Sequence, residues 1–288
     1  MKLTRENYYS QEANDYYFSM SMYKDFMECP YMAYHKYVVH DHTDGDKACF
    51  IMGNYAHTFF EGVKEHAEFI AQNSQHIIST RGANKGGSKA EFAKADLALN
   101  DIAKDDWFMD SMEGTHEEIM TVKYAGVDWK IRIDNINHKK RFFSDFKYVK
   151  SLHIKEKKPY YFNTDGEVAL YPTEEDKEIL TQRWIAIPFW ESLGYWTRFA
   201  LYQEIIRLNT GKIYEALMPV LTKETPPNRD IYSFNNPKRL MKELKSIEDN
   251  VPRILEYKKG KNLAQCGICE FCRKTKKINK IQVASSIV

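Results

Sequence analysis

The sequence lacks several features that define common classes of protein. No stretch approaches the roughly 18 uninterrupted apolar residues of a membrane-spanning helix, and the polar segment 1–10 does not resemble a secretory signal. The chain also has neither the phosphate-binding Gly-x-x-x-x-Gly-Lys-Ser/Thr loop nor the Gly-x-Ser-x-Gly turn. We therefore expect a cytoplasmic protein, with no membrane partner and without a helicase motor or a serine-hydrolase elbow.

Charge is nearly balanced, and this balance leaves the class of partner open. The formal net charge is +2, which neither requires nor excludes a nucleic acid. Lysines do cluster locally, as at Lys155, Lys157 and Lys158. Such a cluster can neutralise phosphates, or it can simply form a solvated surface.

Hydrophobic periodicity predicts a mixture of helices and strands. Helices are predicted over 19–39, 53–72, 90–112, 184–208 and 237–257. Strands are predicted over 118–124, 127–137, 141–150 and 217–221. Pro30 predicts a break near Cys29 in the first helix. Because the first three strands are joined by short turns, they should form an antiparallel meander within a compact α/β domain.

Two acidic residues and a lysine fall on adjacent strands of this meander. Asp134 lies on the second predicted strand, and Asp145 and Lys147 lie two residues apart on the third. Carboxylates set into apolar strands are costly unless a cation compensates them, and Mg²⁺ or Mn²⁺ would do so. Alternatively, Asp145 and Lys147 form a structural pair on an exposed strand face.

A histidine on the second predicted helix adds a further candidate ligand. His57 and Glu61 lie four residues apart, so they share one face of that helix. An imidazole can bind Mn²⁺, although a single helical histidine can equally be a packed or surface residue.

Taken together, these residues resemble the PD-(D/E)XK nuclease superfamily, in its RecB-like branch and its phage exonuclease VIII (RecE-like) group. The motifs of that group are matched, in order, by Gly53, His57, Glu61, Asp134, Asp145, Lys147 and Tyr202. The last motif is Gln-x-x-x-Tyr in the family, and Arg198 stands here in place of the glutamine. The resemblance extends from about residue 19 to residue 272.

The resemblance implies a fold and a set of roles. The fold is a restriction-endonuclease-like core, a mixed central β-sheet flanked by helices, in one domain spanning 1–288. The implied metal ligands are His57, Asp134, Asp145 and the backbone carbonyl of Phe146. Lys147 takes the role of catalytic lysine, and Glu61 and Tyr202 have supporting roles at the same centre.

The resemblance also implies a function. It predicts a Mg²⁺- or Mn²⁺-dependent exonuclease that acts on double-stranded DNA ends, 5′ to 3′, in phage recombination. A single-strand annealing protein would be its partner, and a homo-oligomeric ring is plausible. One alternative is an iron–sulfur nuclease that trims DNA in CRISPR adaptation or repair. Another is a non-catalytic DNA-binding protein on the same scaffold.

Three of the five cysteines form a compact motif near the end of the chain. Cys266, Cys269 and Cys272 have a spacing at which thiolates converge on one metal centre, and Cys29 is the natural fourth ligand. The pattern is similar to that of iron–sulfur nucleases, although their last gap is wider, and predicts a [4Fe–4S] cluster. A structural Zn²⁺ site and unligated thiols are the alternatives. Cys49 is expected to be a plain buried thiol.

Overall fold

The computed structural model describes residues 1–43, 48–82, 84–169, 172 and 174–278. The helices are α1 (Gln11–Tyr16), α2 (Met20–Glu28), α3 (Pro30–Tyr34), a π-helical turn (His35–Val39), α4 (Ala48–Glu61), α5 (Val63–Gln72), α6 (Ser74–Ile77), α7 (Ala90–Ile102), α8 (Asp106–Ser111), α9 (Glu174–Ile179), α10 (Phe189–Ser192), α11 (Tyr195–Thr210), α12 (Pro237–Lys258) and α13 (Glu270–Thr275). The strands are β1 (Thr115–Tyr124), β2 (Val127–Asn137), β3 (Phe142–Ser144), β4 (Lys147–Val149), β5 (Lys155–Phe162), β6 (Val168–Ala169), β7 (Thr181–Pro188), β8 (Glu215–Thr222) and β9 (Arg229–Ser233).

The central sheet has the strand order β1-β2-β3-β8-β4, with β9 also pairing to β8. Strand β2 pairs antiparallel with both β1 and β3, whereas β3 and β4 both pair with β8 in parallel. Helices cover this sheet, so the mixed central sheet flanked by helices that the sequence predicted is confirmed.

Two apolar clusters lie on opposite faces of the sheet. Successive residues of β8 illustrate the division, because Val220 belongs to the cluster that contains α2, α11 and α12, whereas Leu221 belongs to the cluster that contains α4, α7 and α8. Neighbouring residues of a strand point to opposite faces. Both faces of β8 are therefore buried, which matches its nearly continuous apolar sequence.

Helices α2 and α3 begin where the sequence provides a signal to begin. Ser19 caps α2 by accepting from the Met22 N–H, and Cys29 caps α3 with Pro30 at its first position. The predicted break near Cys29 is thus confirmed. The second predicted helix begins earlier than expected, at Ala48, and it divides into α4 and α5 at Gly62, whose φ of 145° an L side chain rarely adopts.

Two predicted elements differ from the structure. The third strand of the meander is divided into β3 and β4 by Asp145 and Phe146. The predicted helix over 184–208 is wrong in its first part, where β7 pairs with β5 in a separate three-stranded sheet with β6. Trp184 on β7 is 66% exposed. No helix among the described residues is long and apolar enough to cross a membrane.

Candidate active site and cysteine cluster

The two carboxylates predicted from the sequence lie side by side in the central sheet. Asp134 lies on β2, and Asp145 directly follows β3. The antiparallel register pairs Asn135 with Ser144, so Asp134 and Asp145 are neighbours at the next step across the two strands. The Asp145 N–H donates to the Leu217 carbonyl at 3.1 Å. This bond continues the ladder to β8 across the gap between β3 and β4.

Two cationic side chains flank the carboxylates. The Lys147 ammonium contacts the Asp145 carboxylate directly and lies 4.0 Å from Asp134 Oδ2. It also donates to the Phe146 carbonyl at 3.0 Å. From α11, Arg198 Nη1 donates to Asp145 Oδ1 at 3.2 Å. Arg198, which departs from the family motif, therefore forms an ion pair with one of the two acids.

The ionisation of these groups follows from burial and mutual attraction. Burial opposes the charge on Asp145, but Lys147 and Arg198 outweigh it and hold the pKa of the carboxyl below its usual value. Burial likewise opposes the charge on Lys147, and Asp145 overcomes it, so that the Lys147 pKa is raised. Both groups are consequently charged at neutral pH.

His57 reaches the same centre from α4. Its Nδ1 lies 3.3 Å from Asp134 Oδ2, and its ring packs edge-on against Phe146 with centroids 5.3 Å apart. Burial lowers the His57 pKa by more than Asp134 raises it, so the imidazole is neutral at pH 7, which is the form that binds metals. Glu61 ends the same helix, and burial raises its pKa. Within the described residues, Glu61 makes no ion pair.

The donor set fits a divalent cation in its chemistry. Asp134 Oδ2 is enclosed by protein and accepts no hydrogen bond from the residues that the structure describes, whereas the equally enclosed Asp145 Oδ2 is in contact with the Lys147 ammonium. Enclosed carboxylate oxygens without hydrogen bonds are costly unless a cation faces them. The Phe146 carbonyl and His57 supply further oxygen and nitrogen donors suited to Mg²⁺ or Mn²⁺.

The spacing of these donors is wider than that of a closed metal cage. Among the His, Cys, Asp and Glu side chains in the described ranges, only four cysteines bring three or more ligand atoms within 4.8 Å of one another. His57, Asp134 and Asp145 do not form such a set, and the Lys147 ammonium lies close to both carboxylates. In this geometry Lys147 and Arg198 together balance the charge of the two acids.

A cavity of about 360 Å³ opens beside the carboxylates. Its lining includes Tyr9, Arg132, Asp134, Asp145 and Tyr202. Tyr202 lies on α11, and burial raises the pKa of its phenol, so that it stays neutral. A mixed lining of acids, bases and aromatic rings suits a ligand with both charge and flat apolar surface.

Sequence reasoning missed one further acid at this centre. Glu117 lies on β1 between residues paired with Asn135 and Ile133, which places it opposite Asp134. Its φ is 60°, unusual for a strand residue, and its Oε2 lies 2.7 Å from Arg132 Nε. Burial raises the pKa of Glu117 to about 7. The predicted strand began at residue 118, three residues after the start of β1 at Thr115, and so left Glu117 out.

The four cysteines singled out from the sequence converge at one place. The Sγ atom of Cys29 lies 3.5 Å from that of Cys272 and 3.9 Å from that of Cys269, and Cys266 Sγ lies 3.9 Å from Cys272 Sγ. All four sulfur atoms lie within 4.8 Å of one another. The side chain of Cys49 lies outside the described residues.

Backbone N–H groups point at several of these sulfur atoms. The N–H of Cys269 donates to Cys266 Sγ at 3.3 Å, and that of Met32 donates to Cys29 Sγ at 3.4 Å. Although burial opposes ionisation of Cys266, backbone N–H groups outweigh it and lower its pKa to about 7. Such donors stabilise thiolates, the form that binds metals. The Cys29 pKa is raised, chiefly by burial.

Comparison with known proteins relates the chain to a protein family and to a solved structure. A family model described as "PDDEXK-like domain of unknown function (DUF3799)" matches residues 19–165 and 176–275. The fold is also similar to the crystal structure of a protein from Eubacterium rectale described as a "putative exonuclease". That match has a TM-score of 0.79 and 30% sequence identity, and it covers 98% of this chain and 97% of that one. No curated protein matches the chain.

Proposed function

We propose, on the premise that this chain belongs to the family of PDDEXK-like domains (DUF3799), that it is a metal-dependent nuclease that degrades DNA from double-stranded ends. The observation that carries this proposal is the enclosed pair of carboxylates, Asp134 and Asp145, with the Lys147 ammonium in contact. The similarity to the Eubacterium rectale protein supports the exonuclease assignment.

Each residue at the centre has a role in this proposal. His57, Asp134, Asp145 and the Phe146 carbonyl would hold Mg²⁺ or Mn²⁺, which when bound polarises a phosphoryl oxygen and lowers the pKa of water. Lys147 stabilises negative charge that develops on the phosphate. Arg198 holds the Asp145 carboxylate in place through its 3.2 Å contact, and we assign supporting roles to Glu61 and Tyr202.

The finer features of the proposal concern the setting. We infer 5′-to-3′ degradation in the cytoplasm during phage-type recombination, with a single-strand annealing protein as partner and a ring-shaped oligomer around the DNA. The first alternative is a RecB-like nuclease that trims DNA in CRISPR adaptation or repair, which the four converging cysteines favour. The second is a non-catalytic DNA-binding protein. The charged pair of Asp145 and Lys147 argues against this alternative.

The decisive experiment compares linear and closed circular DNA of the same sequence, labelled at either the 5′ or the 3′ end of the linear form. Wild-type protein should release nucleotides from linear DNA with Mg²⁺ or Mn²⁺, and EDTA should stop it. Asp145→Asn and Lys147→Ala should each reduce the rate by at least about 100-fold, because each removes charge from the reacting centre.

Matched controls exclude a general effect of substitution. Asp165→Asn and Lys139→Ala change an exposed aspartate and an exposed lysine in turns, and both should retain the wild-type rate. Full activity in a folded Asp145→Asn protein would contradict the assignment. Cleavage of closed circles as fast as linear DNA would contradict the exonuclease mode, and release from the 3′ end would contradict the polarity.

We further propose that Cys29, Cys266, Cys269 and Cys272 hold one structural metal centre. The sequence resemblance favours a [4Fe–4S] cluster. The sulfur separations of 3.5 to 3.9 Å instead match the edge of about 3.8 Å expected for a tetrahedron of Zn–S bonds about 2.3 Å long. The convergence of the four sulfur atoms within 4.8 Å is compatible with either centre, and metal analysis of anaerobically purified protein distinguishes the two.

A further inference from the structure

The N-terminal segment, residues 1–18, lies along the strand that carries Asp134. Phe18 exchanges backbone hydrogen bonds of 2.8 Å with β2, accepting from the N–H of Lys130. Near the start of the segment, Arg5 Nη2 donates to the His116 carbonyl on β1 at 2.8 Å. Contacts at both of its ends therefore hold the segment against the sheet beside the proposed active site.

Tyr8 fixes the middle of this segment. It is buried, and its carbonyl accepts from Lys130 Nζ at 2.5 Å. The rings of Tyr8 and Tyr9 meet edge to face, with centroids 4.9 Å apart. The buried ring of Tyr8 thus limits the orientations that the neighbouring Tyr9 ring can take.

Tyr9 combines a held position with high exposure. It is 66% exposed, although it lines the same cavity as Asp134 and Asp145. Arg132 Nη2 donates to the Tyr9 hydroxyl at 2.9 Å, and the Arg132 guanidinium lies 4.8 Å from the ring centroid. Arg132 is in turn held by Glu117 at 2.7 Å. Among the described residues, this is a fixed aromatic surface at the edge of the reacting centre.

We propose that Tyr9, oriented by Arg132, is a stacking site for one unpaired nucleobase next to the scissile phosphate. The inference rests on the proposed nuclease function and deepens it, because it defines the substrate as a DNA end with unpaired nucleotides. Flat aromatic surfaces bind bases by stacking without regard to sequence. The nearby guanidinium groups of Arg132 and Arg198 suit the phosphate that accompanies the base.

The dimensions of the cavity favour a single strand over a duplex. A volume of about 360 Å³ lies near the lower end of small-ligand sites, so it can take about one nucleotide and not a stack of base pairs. In addition, a base inside a duplex has neighbouring bases on both faces, so it can offer a face to Tyr9 only after it has left the stack.

The test measures stacking directly, without cleavage. Duplexes carrying 2-aminopurine at the terminal position, either blunt or with a few unpaired terminal nucleotides, are titrated with protein in EDTA. Wild-type protein should quench the 2-aminopurine fluorescence and bind the unpaired ends more tightly than the blunt ends. Tyr9→Ala should weaken binding to the unpaired ends by about tenfold, in the range measured for base–aromatic stacking, and abolish the quenching.

Two further variants separate stacking from other effects. Tyr9→Phe keeps the ring and loses only the hydroxyl that accepts from Arg132, and it should retain most of the quenching. Tyr16→Ala removes another exposed tyrosine, which lies outside the cavity on α1 and is 56% exposed, and it should behave as wild type. Normal quenching in Tyr9→Ala, or equal loss in Tyr9→Phe and Tyr9→Ala, would overturn the stacking role.

Failure of this inference and failure of the proposed function give different results. A protein that degrades linear DNA normally but shows no quenching refutes the base site alone. A protein that neither binds nor degrades DNA refutes both. Equal affinity for blunt and unpaired ends, with quenching intact, refutes the preference for unpaired ends.

Discussion

Replacement of Lys130 by methionine tests how the protein tolerates a buried charge beside the proposed active site. Lys130 lies on β2 and is 1% exposed, and its ammonium donates to the Tyr8 carbonyl and, at 2.8 Å, to Asn14 Oδ1. Burial lowers its pKa from 10.5 to about 8. In the unfolded chain a lysine keeps a pKa near 10.4. Between about pH 8 and pH 10.5 the unfolded state therefore holds a proton that the folded state has released.

The sign and size of the effect follow from this difference. Stability rises with pH wherever the unfolded state binds more protons than the folded state. The contribution of Lys130 to the unfolding free energy should therefore become more favourable from pH 7.5 to pH 10.5. A pKa difference of this size corresponds to about 3 kcal/mol. Because Lys130→Met removes this titration and leaves other groups in place, the wild-type minus variant difference in unfolding free energy should rise by about 3 kcal/mol.

Urea unfolding of both proteins at pH 7.5, 9 and 10.5 measures this rise. Lys139→Met, which replaces an exposed lysine in the turn after β2, gives the baseline for loss of a lysine without burial. A wild-type minus Lys130→Met difference that stays constant or falls with pH would refute the reasoning. It would mean that the two hydrogen bonds from the ammonium fully offset its burial.

Two further predictions concern charge and metal. Arg198→Gln should lower the unfolding free energy by about 1–3 kcal/mol at pH 7 in EDTA, as for a lost hydrogen bond to a charged group. Since the Asp145 pKa is held low, the difference in unfolding free energy between wild type and Arg198→Gln should narrow only below about pH 4, as Asp145 protonates. Urea unfolding measures this difference, and an unchanged difference at low pH would contradict the pairing of Arg198 with Asp145. Cys29→Ser should abolish the bound metal in elemental analysis and lower the melting temperature. Purified wild-type protein that contains neither zinc nor iron would refute the metal centre.

Local signals made much of the core predictable. Residues 127–137 were predicted as a strand, and β2 has the same bounds. The turn before it contains Ala125 and Gly126, both with positive φ, as a two-residue hairpin connection requires. Alternation of apolar residues then set the register that brings Asp134 and Asp145 together. The turn and the alternating pattern both come from residues that lie within about twenty positions of one another in the sequence.

Contacts between distant segments were not predictable in the same way. The pairing of Arg198 with Asp145 joins α11 to the end of β3, and no periodic pattern links them. The same is true of Tyr9 and Arg132, 123 residues apart in sequence. The strand β7 was mistaken for a helix because a short apolar run fits both structures, and its pairing with β5 decides the outcome.

The meeting of Cys29 with the last cysteines has a consequence for how the protein is made. Cys29 and Cys272 are separated by 243 residues, and translation at roughly 5–20 residues per second delivers the second cysteine about 10–50 s after the first. During that interval the Cys29 thiol has none of its proposed partner ligands. Insertion of the proposed metal would therefore be a late step in maturation, and chains that terminate before residue 266 could not complete it.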